Sequence, residues 1–148
     1  MGMIVRITTE TLDAIVTETI AESGREACGL LLGADDRITA HRPARNVADD
    51  PHRRFEIDPA TLLAAHRAAR ADGPAILGCY HSHPTGSPDP SARDAADAEP
   101  NGWLWLIVGA GEARLWRAVR DGAVHGRFEP VPFTCVSGPP APESALSG

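Results

Sequence analysis

The chain is 148 residues long and sets 14 basic side chains against 20 acidic ones, a formal charge of −6 at pH 7. That length suits one domain whose core folds without disulfides or a structural metal, and the negative balance argues against a general nucleic-acid or anionic-membrane binder. All the basic residues are Arg, so lysine-based covalent catalysis is excluded, and the three cysteines (Cys28, Cys79, Cys135) contain no C-x-x-C pair and imply no disulfide framework.

The pattern predicts a short first strand over residues 4–7. Thr8 or Thr9 then caps a helix with Leu12, Ile15, Val16 and Ile20 on its apolar face, ended by Gly24. Residues 27–33 are too short and too continuously apolar for a surface helix and read as a buried strand, paired in a hairpin with residues 38–43. A polar loop over 44–54 carries Arg45, Arg53 and Arg54, and residues 55–57 are extended. Asp58-Pro59 opens a second helix that stops near Asp72-Gly73-Pro74. Residues 75–80 form an apolar strand leading into His81-Ser82-His83-Pro84, and a short helix follows from Ser91 to about Ala98. Residues 103–108 and 114–119 form a further hairpin, and 123–133 add an edge strand. The fold class is therefore α/β, a mixed and mostly antiparallel sheet with helices packed on its faces. The division expected is a domain over residues 1–135 and a flexible Pro/Ser/Gly-rich tail over 136–148.

If the strand over 75–80 continues through them, His81 and His83 project from one side of it. Asp94, in the first turn of the next helix, is placed to return a carboxylate to the same point. Two nitrogens and one oxygen with an open fourth position suit catalytic zinc. Read alone, the H-x-H pair is also compatible with a satisfied polar cluster, and Ser91-x-x-Asp94 with a helix capping pair.

His81-Ser82-His83-Pro84, seven residues, Ser91, two residues and Asp94 resembles the full signature of the JAMM (MPN+) zinc metalloproteases. That family also has an upstream Glu before a Gly-containing apolar strand, here Glu26 ahead of Ala27-Cys28-Gly29-Leu30. Asn46, Pro51, Phe55 and Ile57-Asp58-Pro59 resemble residues of its small bacterial members, and the resemblance covers about residues 4–120. It implies a single MPN-type domain in which His81, His83 and Asp94 hold one Zn²⁺ with water as fourth ligand. Glu26 is then the general base that takes a proton from that water and delivers it to the departing amine. Ser91 hydrogen-bonds the developing oxyanion, a role in which one donor is worth roughly 3–4 kcal/mol.

The resemblance further implies hydrolysis of an amide after the C-terminal Gly-Gly tail of a ubiquitin-like β-grasp sulfur-carrier protein, removing an extension or an amino-acid adduct. The alternatives are an isopeptidase on ubiquitin-like conjugates and a non-catalytic MPN scaffold, though scaffold relatives lack some of the ligands present here. A zinc nucleoside deaminase is excluded, because neither H-x-E nor P-C-x-x-C occurs. No signal-peptide pattern opens the chain and no stretch is apolar enough to span a membrane, so the expectation is a cytoplasmic monomer or homodimer.

Cys79 shares strand parity with His81 and Cys28 with Glu26, but both read as small buried residues. His41, His52, His66 and His125 read as solvated or satisfied. Arg42, Arg45, Arg53 and Arg54 form a solvated face or a patch for an acidic partner, and Trp103 and Trp105 share one face as core or partner surface.

Overall fold

The computed structural model describes residues 4–22 and 24–138. Its elements are β1 (Val5–Thr8), α1 (Thr9–Ala21), β2 (Cys28–Ala34), β3 (Arg37–Ala44), α2 (Pro59–Arg70), β4 (Ala75–His83), α3 (Ala92–Asp97), β5 (Leu104–Gly109), β6 (Glu112–Gly122), β7 (Gly126–Pro130) and β8 (Phe133–Val136). The strands form one sheet in the order β7-β6-β5-β4-β2-β3-β1-β8. The pairs β4–β5, β1–β3 and β1–β8 are parallel, and the other four are antiparallel, so the sheet is mixed.

Two sequence readings change here. Residues 55–57 do not add a strand to the sheet: Ile57 makes only an isolated bridge to Asn46. The edge strand expected over 123–133 is instead two strands at opposite edges of the sheet, β7 beside β6 and β8 beside β1; the pairing with β1 supplies what a four-residue segment cannot show by periodicity. Val136 closes β8, and residues 139–148 of the expected tail lie outside the described residues.

Alternation along the strands divides the core. Tyr80 and Leu31 join Val5, Ile7, Ile15, Ile38, Leu104 and Leu106 on the face covered by α1. Cys79, Trp105, Ile107, Trp116 and Phe128 lie on the other face, where Ala95 and Ala98 bring in α3; Leu30, Leu32 and Ala65 bring in α2. Trp103 and Trp105 both pack into this second face.

Thr8 caps α1, its hydroxyl accepting the Thr11 N–H, and the buried stripe is Thr11, Ile15 and Thr19. Ile20 is not on that stripe and stands 72% exposed. The helix closes at Glu22, two residues before Gly24, which has φ +87°. Asp58 caps α2 by accepting the Ala60 N–H, with Pro59 in the first turn. Asp58→Ala is expected to cost about 1 kcal/mol, read as a lower urea midpoint at unchanged slope.

Gly29 has a packing reason. A Cβ there would stand 2.4 Å from both the Tyr80 hydroxyl and the Arg42 carbonyl oxygen. Glycine thus lets the Tyr80 ring cross β2 and reach Glu18 on α1, where its O–H donates to the carboxylate at 2.7 Å.

Candidate metal centre

β4 lies between β2 and β5, in the interior of the sheet. It remains a strand through His83, so His81 and His83 share a face, with His81 opposite Cys28 on β2 and Ile107 on β5. The imidazole of His81 is fully buried, stacked on Phe55 at 4.2 Å between centroids and 20° between planes, with the Trp105 ring edge-on. These two aromatic rings fix its plane.

The return of Asp94 is built by a cap. Ser91 Oγ accepts the Asp94 N–H at 3.0 Å, and Asp94 Oδ2 accepts the Ser91 N–H at 2.9 Å, a reciprocal box at the start of α3. The same carboxylate turns inward. His81 Nε2 lies 3.2 Å from Asp94 Oδ1, His83 Nε2 lies 3.1 Å from Oδ2, and the two Nε2 atoms are 3.2 Å apart. Capping and convergence are therefore both true of Asp94.

These groups fit a divalent metal. One ligand atom from each residue lies within 4.8 Å of the others. The Nδ1–H of His83 donates to the Ser87 carbonyl at 2.7 Å, which turns the Nε2 lone pair inward. Burial of His81 favours its neutral, ligating form and lowers its pKa despite Asp94. His83 moves upward: burial opposes its charge, but Asp94 and the Ser87 carbonyl outweigh that. Burial also penalises the Asp94 carboxylate, yet the two imidazoles and the Ser91 N–H hold it well below the usual range.

Glu26 sits just before β2, beside this cluster. The Ser82 N–H donates to the Ala27 carbonyl and the Ala27 N–H to Ser82 Oγ, so the residue leading into β2 is clasped to β4 between the histidines. Asn46 secures the other side: its amide donates to the carbonyls of Glu26 and Arg54, while its oxygen accepts the N–H groups of Ala48 and Glu56. Glu26 is 4% exposed, and its Oε1 has no hydrogen-bond partner among the described residues. It lines a recess of about 280 Å³ together with His83 and Ser91.

Burial, with the nearby Asp94 charge, pushes the Glu26 pKa from the ordinary 4.5 up to about 7. The protonated form is thus favoured by folding: its contribution is full below the unfolded value and is lost as pH rises through about 7. In chelator-treated protein, Glu26→Gln is expected to gain stability relative to wild type between pH 5 and 8, by on the order of 2 kcal/mol. Urea unfolding at the two pH values checks this; an unchanged difference would mean that the carboxylate is well solvated.

Of the other candidates, His52 and Arg53 line the same recess as Glu26, His83 and Ser91, and Trp105 meets the His81 ring. Burial raises the Cys28 thiol to about 12 and Cys79 upward as well. Cys28 Sγ instead lies 3.8 Å from the carbonyl oxygens of Ala44 and Arg45. His41 is 3.8 Å from Glu18, and His52 hydrogen-bonds the Gly24 carbonyl oxygen. Arg54 lies 3.6 Å from Asp97 on α3. The aromatic bracket on His81 and the Ser82 clasp are roles that sequence reasoning missed. Both come from pairings across the sheet, and only the resemblance drew notice to Phe55.

The family model described as prokaryotic homologs of the JAB domain matches residues 8–120. The chain belongs to that family. The Desampylase of Haloferax volcanii is 39% identical over 55% of this chain and 60% of its own length, and that of Pyrococcus furiosus is 32% identical over 68% and 72%. The match therefore spans less than two thirds of the Haloferax protein. A Probable TtuB-protein conjugate cleaving protease of Thermus thermophilus is 31% identical over 66% of the chain and 65% of that protein. Similarity also extends to the Tail tip assembly protein K of Escherichia phage N15, 31% identical over 72% of the chain and 41% of that protein.

Among solved structures, protein DSY2949 from Desulfitobacterium hafniense matches with TM-score 0.76 at 24% identity, covering 90% of this chain and 94% of that one. The JAB1/MPN domain protein AF2198 from Archaeoglobus fulgidus matches with TM-score 0.55 at 18% identity, covering 90% and 100%. The fold is accordingly a single MPN/JAB-type domain. No helix among the described residues is long and apolar enough to cross a membrane.

Proposed function

We propose that this chain is a zinc-dependent hydrolase that cleaves the amide bond after the C-terminal Gly-Gly tail of a ubiquitin-like β-grasp sulfur-carrier protein, acting in the cytoplasm as a monomer or homodimer. The observation that carries the chemistry is a buried Glu26 oxygen with no hydrogen-bond partner among the described residues, beside converging His81, His83 and Asp94. The names of three relatives support conjugates as the substrate class.

His81 Nε2, His83 Nε2 and one Asp94 oxygen would hold the ion. Two imidazoles and a carboxylate suit zinc and leave a position open. When bound, zinc supplies Lewis acidity, acidifying water and polarising a carbonyl.

Glu26 takes the proton from the attacking water and later delivers it to the departing nitrogen. The water oxygen becomes the second oxygen of the new carboxylate, the C–N bond breaks, and the amine leaves with the transferred proton. Ser91 Oγ already accepts the Asp94 N–H, so its own O–H is left to donate to the oxyanion. An amine belonging to a lysine side chain makes the same chemistry an isopeptidase reaction, the reading favoured by the conjugate-cleaving relative.

The test is cleavage of a β-grasp carrier bearing cysteine or a short peptide after Gly-Gly, with metal content measured alongside. Release that stops with chelator and returns with zinc is the expected result. Full zinc occupancy without cleavage would remove this substrate; failure to take up zinc at all would remove the hydrolase reading.

A further inference from the structure

The chain leaves β4 at His83 and reaches α3 through residues 84–90. Opposite partners in neighbouring strands share a face. The pairs His83–Gly109, Ile107–Arg114 and Trp105–Trp116 therefore put His83, Gly109, Arg114 and Trp116 on one side of β4, β5 and β6.

The loop folds back across that side and is held at three points. Gly109 lets it come down: a Cβ there would stand 2.5 Å from the Gly86 carbonyl oxygen and 2.9 Å from the Ser87 carbonyl. The buried indole N–H of Trp116 donates to the Pro88 carbonyl at 3.1 Å. Arg114 Nη1 reaches Asp89 Oδ1 at 2.9 Å, and Asp89 Oδ2 accepts the Ser87 hydroxyl at 3.3 Å.

These anchors bear on the metal centre through one peptide unit. The Ser87 carbonyl accepts the His83 Nδ1–H at 2.7 Å, and the next carbonyl along the chain is the one that Trp116 holds. Between the two, the Ser87–Pro88 amide is planar and the proline ring fixes φ. One torsion, ψ of Pro88, then separates the two oxygens, so holding one restricts the other. The Arg114–Asp89 pair is half-exposed, and such a pair contributes little. The buried indole bond is the stronger anchor, and a phenyl ring in its place has no N–H to give.

We propose that Trp116 is a positioning residue of the metal centre: its indole N–H holds the Pro88 carbonyl, which sets the Ser87 carbonyl over Gly109 and so fixes His83 with Nε2 turned toward Asp94. The consequence for metal rests on the reading of this cluster as a zinc site, but the state of His83 is measurable without metal.

Three variants of the full chain decide it. Trp116→Phe removes the donor, and Gly109→Ala pushes the Ser87 carbonyl aside without touching the indole. Trp103→Phe shrinks a ring that packs on the same face and whose side chain makes no hydrogen bond to the loop among the described residues. The first readout is zinc affinity against a competing chelator. Trp116→Phe and Gly109→Ala are each expected to lose about tenfold, the low end for a group that supports a metal ligand, and Trp103→Phe to stay within about twofold despite a lower urea midpoint. The second readout follows the imidazole nitrogen resonances of His83 in metal-free protein, at a pH high enough to leave the ring neutral. Wild type and Trp103→Phe are expected to carry the proton at Nδ1, and the other two variants to divide it between Nδ1 and Nε2.

Wild-type zinc affinity and an unchanged tautomer in either Trp116→Phe or Gly109→Ala would overturn the proposal. An equal loss in Trp103→Phe would overturn it as well, since core packing alone then accounts for the effect. Should Trp116→Phe fail to fold, β-(3-benzothienyl)alanine at position 116 keeps the ring shape without the N–H, and the same two readouts decide. A wild type that fixes the His83 proton at Nδ1 yet takes up no zinc, with that preference lost on removing the indole N–H, would sustain the positioning role and remove the zinc-site reading.

Discussion

Glu26→Gln is expected to retain zinc at the wild-type stoichiometry and to lose on the order of 10²–10⁴ in turnover, the usual share of a general base. The amide is nearly isosteric with the carboxyl and keeps every backbone contact that places residue 26, since the Ser82 clasp and the Asn46 amide both act on main chain. What changes is the capacity to accept and return a proton. The substitution also replaces a group whose charged form is penalised by burial, so the variant is not expected to be less stable. That combination separates a chemical loss from a structural one. Steady-state cleavage with metal analysis of the same sample checks it; turnover within a fewfold of wild type would remove Glu26 from proton transfer.

The convergence of His81, His83 and Asp94 was legible because its geometry follows from two local rules. Strand parity puts His81 and His83 on one face, and a capped helix turns Asp94 back toward them. For Ser91 and Asp94, the structural reading and the functional one were posed as rivals from sequence, whereas in the fold one carboxylate both caps α3 and faces the two imidazoles. The resemblance supplied Glu26, which spacing alone would leave as a strand-end carboxylate; the structure adds its burial and an oxygen without a hydrogen-bond partner among the described residues.

What stayed hidden was decided across the sheet. β8 is four residues long and gains its place by parallel pairing with β1 at the far end of the chain. Residues 55–57 have strand-like composition, but Phe55 is occupied with His81 and the segment bridges only to Asn46. Ile20 fits the apolar spacing of α1 yet faces outward, because Thr11, Ile15 and Thr19 set the buried stripe. In each case tertiary partners outweigh local pattern.

The double duty of Asp94 gives the second large effect and a way to divide its two roles. Asp94→Asn keeps an oxygen that can accept the Ser91 N–H, so the box at the start of α3 survives in part, while the negative charge facing both imidazoles is gone. Asp94→Ala removes both. Zinc affinity is therefore expected to fall in both variants by more than about 100-fold, the upper end for losing a group that merely supports a ligand. In chelator-treated protein, Ala should cost about 1 kcal/mol more than Asn, the worth of an N-terminal cap. Metal titration against a competing chelator reads the first difference and urea unfolding the second. Wild-type zinc affinity in Asp94→Asn would show that the carboxylate serves the helix alone, and would reduce the site to two imidazoles, too few protein ligands for a zinc centre of this kind.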